Sequence, residues 1–158
     1  MTIELKKYEL NNKLKVVREE VIETIKNFSK NDLEKKVFSH KESWTIFEVI
    51  KHLNSSENGM IRLMQNILQG GEGVPEDFDL KRYNKRQVEK QVDISYEELL
   101  QNLEKNRKDL LQFMDTLEGE DFQKKGRHGS LKTMTIEEII NKIADHETDH
   151  LMKIKKIL

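Results

Sequence analysis

Helix breakers are almost absent from this chain: Pro75 is the only proline in 158 residues, and only seven are glycine. So little punctuation favours long helices. Three capping boxes mark where such helices begin: Thr45-Ile46-Phe47-Glu48, Ser95-Tyr96-Glu97-Glu98 and Thr135-Ile136-Glu137-Glu138. In each, the hydroxyl can accept from an orphan backbone N–H while the glutamate reaches back to the cap. Apolar residues follow each box at three- and four-residue steps. They run from Phe47 to Leu68, from Tyr96 to Leu117, and from Ile136 to Leu158. A fourth stripe precedes them, through Leu10, Leu14, Val17, Val21, Ile25 and Phe28. No segment alternates with period two, and no internal repeat is visible. Four one-sided helices predict an all-α four-helix bundle, with short helical turns over 31–37 and 120–124. The long connection from Gly70 to Ile94 either crosses the bundle or flanks a site.

One domain over residues 1–158 is the expected organisation. The 28 Lys+Arg and 29 Asp+Glu leave a formal net charge of -1, which excludes a globally basic nucleic-acid binder. The Lys81-Arg82-Tyr83-Asn84-Lys85-Arg86 cluster reads as a solvated loop. No apolar run reaches the roughly 18 residues of a membrane span. The opening MTIELKKYEL lacks the basic-then-apolar order of a secretion signal, so a cytoplasmic location is expected. The chain has no cysteine, which removes disulfides, thiolate metal sites and cysteine nucleophiles.

Of the five histidines, His146 and His150 stand four apart in Asp145-His146-Glu147-Thr148-Asp149-His150. On a helix that spacing stacks both imidazoles on one face, where they can share one cation. Helical phase turns both inward: with Ile136 at zero, His150 falls at about 320° and His146 at about 280°. Inward imidazoles need partners, and a metal supplies them. A third ligand must come from another helix, and His52, beside the small Ser56, is the best candidate. His40 and His128 read as loop residues, with His128 able to approach an open coordination position.

Three charged residues, Glu57, Arg107 and Glu147, stand at the centres of apolar stripes, and Arg18 lies near the edge of the first. Charge there must be paired or wetted. An Arg107–Glu147 or Arg107–Glu57 ion pair would fix helix register. A polar chamber beside the metal would instead leave Arg107 free to hold an anionic substrate group, and the two readings are compatible.

Ser43-Trp44-Thr45 with Glu48, then His52-Leu53, then His146-Glu147-Thr148-Asp149-His150, resemble in order and spacing the DinB/YfiT-like superfamily of small four-helix metalloenzymes. The likeness spans Leu5 to Leu158. It implies up-down-down-up order, a divalent metal (zinc or nickel, with iron possible) on His52, His146 and His150, and a homodimer. It also implies a thiol-dependent S-transferase that joins bacillithiol or mycothiol to small electrophiles. The chain departs from many relatives after His150, where Leu151-Met152-Lys153-Ile154 replaces a polar continuation.

On this reading the partners are a small-molecule thiol and an electrophile, with no nucleic acid and no membrane. Glu147 is the expected proton shuttle or ligand-orienting group, and Arg107 the expected carboxylate holder. His146-Glu147-Thr148-Asp149-His150 also satisfies H-E-x-x-H, in which the glutamate is general base to a zinc-bound water. Only eight residues follow His150, too few for the usual downstream third ligand. A small-molecule hydrolase and a non-catalytic metal- or ligand-binding bundle complete the alternatives.

Overall fold

The computed structural model describes residues 1–39 and 42–158, so His40 lies outside the described residues. Four long helices form the body: α1 (Ile3–Ile25), α3 (Ile46–Leu68), α5 (Tyr96–Asp115) and α6 (Ile136–Lys156). Two of the capping boxes close reciprocally, Thr45 with Glu48 and Thr135 with Glu138. At the third, Ser95 accepts from the Glu98 amide. Shorter pieces join them: α2 (Lys30–Glu34), α4 (Leu80–Glu89) and a 3-10 turn over Gly119–Gln123.

Side-chain pairings give the helix directions. Lys6 meets Glu137 and Glu20 meets Lys155, so α1 and α6 run parallel. Phe47 packs on Tyr96 and Asn106 donates to Asn54, so α3 and α5 run parallel. The Tyr96 hydroxyl donates to Ile25 O while Lys7 donates to Asp115 O, so α1 and α5 are antiparallel. The order is therefore up, down, down, up. The segment between α3 and α5 must return along the length of the bundle, and α4 packs against α3 as it does so. The Lys81–Arg86 cluster is thus helical, with Asp79 capping the helix start.

Two antiparallel hairpins depart from the all-helical expectation. β1 (Lys36–Ser39) pairs with β2 (Glu42–Thr45), and β3 (Lys125–Arg127) with β4 (Thr133–Thr135). Strands of three or four residues are too short to show a period in sequence. Each hairpin feeds directly into a long helix, and Ile46 N and Ile136 N donate to Lys35 O and Lys124 O at the same 2.9 Å.

These matched details belong to an internal repeat, which few side-chain identities mark beyond Thr45, Ile46 and Glu48 with Thr135, Ile136 and Glu138. Helix, short turn, hairpin and helix occur twice, displaced by about 90 residues, so that α1 corresponds to α5 and α3 to α6. The two copies share one core, and an ionic layer divides it. Leu14, Met64, Leu110 and Ile140 lie on one side, with Val21, Ile50, Leu103 and Leu151 on the other.

Candidate metal centre

Arg18, Glu57, Arg107 and Glu147 form that layer, each no more than 6% exposed. Arg18 donates from Nε to Glu147 (2.5 Å), from Nη2 to Glu57 (2.9 Å), and from Nη1 to Leu103 O. Arg107 repeats the pattern, from Nε to Glu57 (3.1 Å), from Nη2 to Glu147, and from Nη1 to Leu14 O (2.5 Å). Burial opposes the charge on Arg18, but Glu57 and Glu147 outweigh it and raise its pKa. Burial likewise pushes Glu147 up, yet Arg18 and Arg107 hold it below the usual carboxylate range. All three nitrogens of Arg107 are engaged within the protein. Both ion pairs foreseen for Arg107 exist, and Arg18 joins the same two carboxylates.

Beside this layer α3 presents His52, and α6 presents His146 and His150 one turn apart. The Nε2 atoms of His52 and His146 are 3.1 Å apart, and those of His146 and His150 are 3.0 Å apart. One ring nitrogen from each lies within 4.8 Å of the others. Tetrahedral zinc with Zn–N bonds of about 2.0–2.1 Å would set its ligand nitrogens about 3.3 Å apart. Desolvation, then the neighbouring His146, lowers the pKa of His52 to about 3. Desolvation, then Lys142, takes His146 to about 4. His150 falls to about 2 through desolvation and then His146. All three are neutral at physiological pH, the state a metal ligand requires. Convergent, neutral imidazoles, His52 buried and His146 and His150 half-buried, fit a divalent cation.

The tilted Trp44 ring, 5.1 Å from that of His52, packs against the site. The Nδ1 atoms of His52 and His150 are buried with no partner among the described residues. Metal-bound histidines usually donate from that second nitrogen. After His150 the helix offers Leu151 and Ile154, which pack into the core instead.

A cavity of about 470 Å³ opens beside His52 and His146. Its far wall comes from the crossover, where Phe78, Leu80 and Tyr83 face it. Gly73 pins that segment to β3: Arg127 N donates to Glu72 O (2.7 Å) and Val74 N to Arg127 O (2.9 Å). Gly73 has φ +91°, and a Cβ there would stand 2.3 Å from Arg127 O, so only glycine fits. The β3–β4 loop brings His128 and Ser130 to the same cavity, and α6 brings Lys142. No carboxylate is among the residues lining it, and neither Arg107 nor Glu147 reaches it. Lys142 had a legible signal, standing one turn before His146 on the same helical face. The crossover wall had none beyond the length of its loop.

A model of the DinB superfamily matches residues 13–154. The chain belongs to the DinB superfamily. No protein of curated function matches its sequence. Among solved structures this DinB-superfamily chain is similar to the colibactin self-resistance protein ClbS, crystallised with double-stranded DNA. The two are 15% identical with a TM-score of 0.78, over 96% of this chain and 94% of that one. YfiT from Bacillus subtilis is 18% identical, with a TM-score of 0.73 over 95% of this chain and 84% of its own. It is described as a probable metal-dependent hydrolase with an unusual four-helix bundle topology. A protein from Streptococcus pneumoniae is 19% identical, with a TM-score of 0.72 over 95% and 88% of the two chains. At these identities the likeness is one of fold. Among the described residues, no helix of this superfamily member is long and apolar enough to cross a membrane.

Proposed function

We propose that this DinB-superfamily protein is a metal-dependent enzyme of small-molecule chemistry that joins a low-molecular-weight thiol, of the bacillithiol or mycothiol kind, to an electrophile. One observation carries the reading: His52 and His146 line an apolar cavity that no carboxylate reaches. The carboxylate base that an H-E-x-x-H hydrolase uses is therefore missing from the cavity wall, and the chain has no cysteine to act as its own nucleophile. A divalent cation (zinc, nickel or iron) on His52, His146 and His150 would supply the charge that keeps a thiol deprotonated.

The protein's own groups do the rest. The three imidazoles stay neutral and aim their Nε2 atoms at one point. Phe78, Leu80 and Tyr83 exclude water and hold the apolar body of the electrophile. Glu147 and Arg107 act as positioning residues, holding α6 against α1, α3 and α5 so that His146 and His150 face His52. We also infer a cytoplasmic homodimer, on the family likeness, and no nucleic-acid substrate, on the balanced charge alone.

Hydrolysis is the second reading, supported by the description of YfiT and by the H-E-x-x-H pattern. The engagement of Glu147 with two arginines weighs against its serving as that base. The test begins with metal content by mass spectrometry on tag-free protein and on His52→Ala, His146→Ala and His150→Ala variants. About one metal per chain, lost in each variant, is expected. The loaded protein is then assayed with thiols plus electrophiles and, separately, with esters and amides. Thiol consumption would support transfer, whereas thiol-independent cleavage would establish hydrolysis. Failure to bind any divalent cation after reloading would leave a non-catalytic bundle, and a gel shift with duplex DNA would overturn the nucleic-acid exclusion.

A further inference from the structure

The internal repeat relates the two helices that carry the triad, so every metal-site position has a counterpart across the approximate two-fold. His52 on α3 corresponds to Lys142 on α6, and His146 and His150 correspond to Ser56 and Met60. Both half-sites border the same cavity, which is lined by His52 and His146 and also by Ser56, Met60 and Lys142. One half holds three imidazoles. The other holds one cation beside two side chains small or flexible enough to leave it room.

Lys142 is exposed and makes no ion pair among the described residues. With no carboxylate on the cavity wall, its charge lacks an internal partner there. His128 stands nearby: burial, and then the charge of Lys142, lower its pKa. Its tautomer follows from its neighbours. The Ser130 amide, which can only donate, gives its hydrogen to His128 Nδ1 at 3.0 Å. The proton of the neutral ring is therefore on Nε2, free for an acceptor. The loop that sets this geometry is strained, with Leu131 at φ +70° and its amide donating to His128 O at 2.8 Å.

We propose that Lys142 and His128 form an anion subsite of the cavity, which selects small apolar molecules carrying a carboxylate. Lys142 precedes His146 by one helical turn, roughly 6 Å. The carboxylate would thus stand only a few bonds from the atom that faces the triad. The anion-holding role read from the sequence for Arg107 passes to these two residues, since Arg107 is committed to the ionic layer. The inference rests on the cavity being the substrate site proposed above, but not on a bound metal.

The test uses 4-phenylbutanoate and its neutral amide as probes, titrated calorimetrically into metal-free and metal-loaded protein. The metal-free wild type is expected to bind the carboxylate at least about tenfold tighter than the amide, as a charge-assisted contact allows. Lys142→Met should bring the two within about twofold while leaving amide binding intact. His128→Leu should weaken the carboxylate alone. Equal binding of the two probes in the wild type, no binding of either at millimolar concentration, or a preference that survives Lys142→Met would overturn the proposal. So would a preference seen only after metal loading, because the carboxylate would then be a metal ligand. A protein that takes up no metal yet keeps the preference would refute the enzyme reading and leave the subsite standing.

Discussion

Four side chains from four helices meet where Arg18, Glu57, Arg107 and Glu147 neutralise one another and divide the apolar core. Such a layer adds little net stability compared with a well-packed apolar one, but removing one member leaves a buried charge exposed to no compensation. Arg107→Met and Arg18→Met are each expected to cost about 3–5 kcal/mol in urea denaturation. The costs should be alike, because the two arginines make equivalent bonds. A loss below about 1 kcal/mol in either would mean the layer does not hold register.

The histidines give a second prediction at the same scale. Their folded pKa values lie near 3, 4 and 2, below the ordinary 6.5. Below pH 6.5 the unfolded chain therefore binds protons that the folded chain refuses, and acidification destabilises the metal-free protein. Each histidine contributes up to roughly 1.4 kcal/mol per pH unit below 6.5. Thermal melts of the apoprotein between pH 7.5 and 5 should show a steep fall in stability that His150→Ala makes shallower. An unchanged slope would show that the rings are not kept neutral by burial.

At the scale of elements, the helices are set by local signals and the cavity is set by their connections. Thr45 and Thr135 start the two ligand-bearing helices from the ends of hairpins, so each capping box also fixes where its histidines fall along the bundle. The crossover is held by a contact at Gly73 that no side chain could share. Gly73→Ala is expected to destabilise the protein by more than about 1 kcal/mol, because alanine meets both a positive φ and a backbone clash. Hydrogen exchange at the Val74 amide should accelerate, and probe binding in the cavity should weaken, while the triad still takes up metal. Retained protection at Val74 would mean that the crossover has another anchor.

For the whole molecule, the approximate two-fold explains why the ionic layer is so nearly symmetric while the sites beside it are not. Duplicate helices supply two equivalent half-sites, and one has become a triad of imidazoles. A cation bound there would be linked to folding of the entire bundle, since its ligands come from helices of both copies. Metal at 100 times its dissociation constant would add about 2.7 kcal/mol. For a domain of this size that is a rise of roughly 5–10 °C in Tm, abolished by chelator and by His52→Ala. Equal melting with and without divalent cations would argue that no metal binds the folded state.

The helices, their starts, the inward pair His146 and His150, and the charged breaks at Glu57, Arg107 and Glu147 were legible because each is a local matter of period, phase and capping. That His52 faces the pair could be read only as a choice among candidates, since its partner lies on a distant segment. The hairpins and the cavity wall of Phe78, Leu80 and Tyr83 left no readable trace. Short strands carry no measurable period, and the repeat shows in the sequence only as scattered identities such as Thr45 with Thr135 and Glu57 with Glu147. The fate of Arg107 marks the boundary between the two kinds of information. Its position in the stripe says that its charge must be answered, and only the packing of four helices decides that Glu57, Glu147 and Leu14 O answer it, leaving Lys142 to face the cavity.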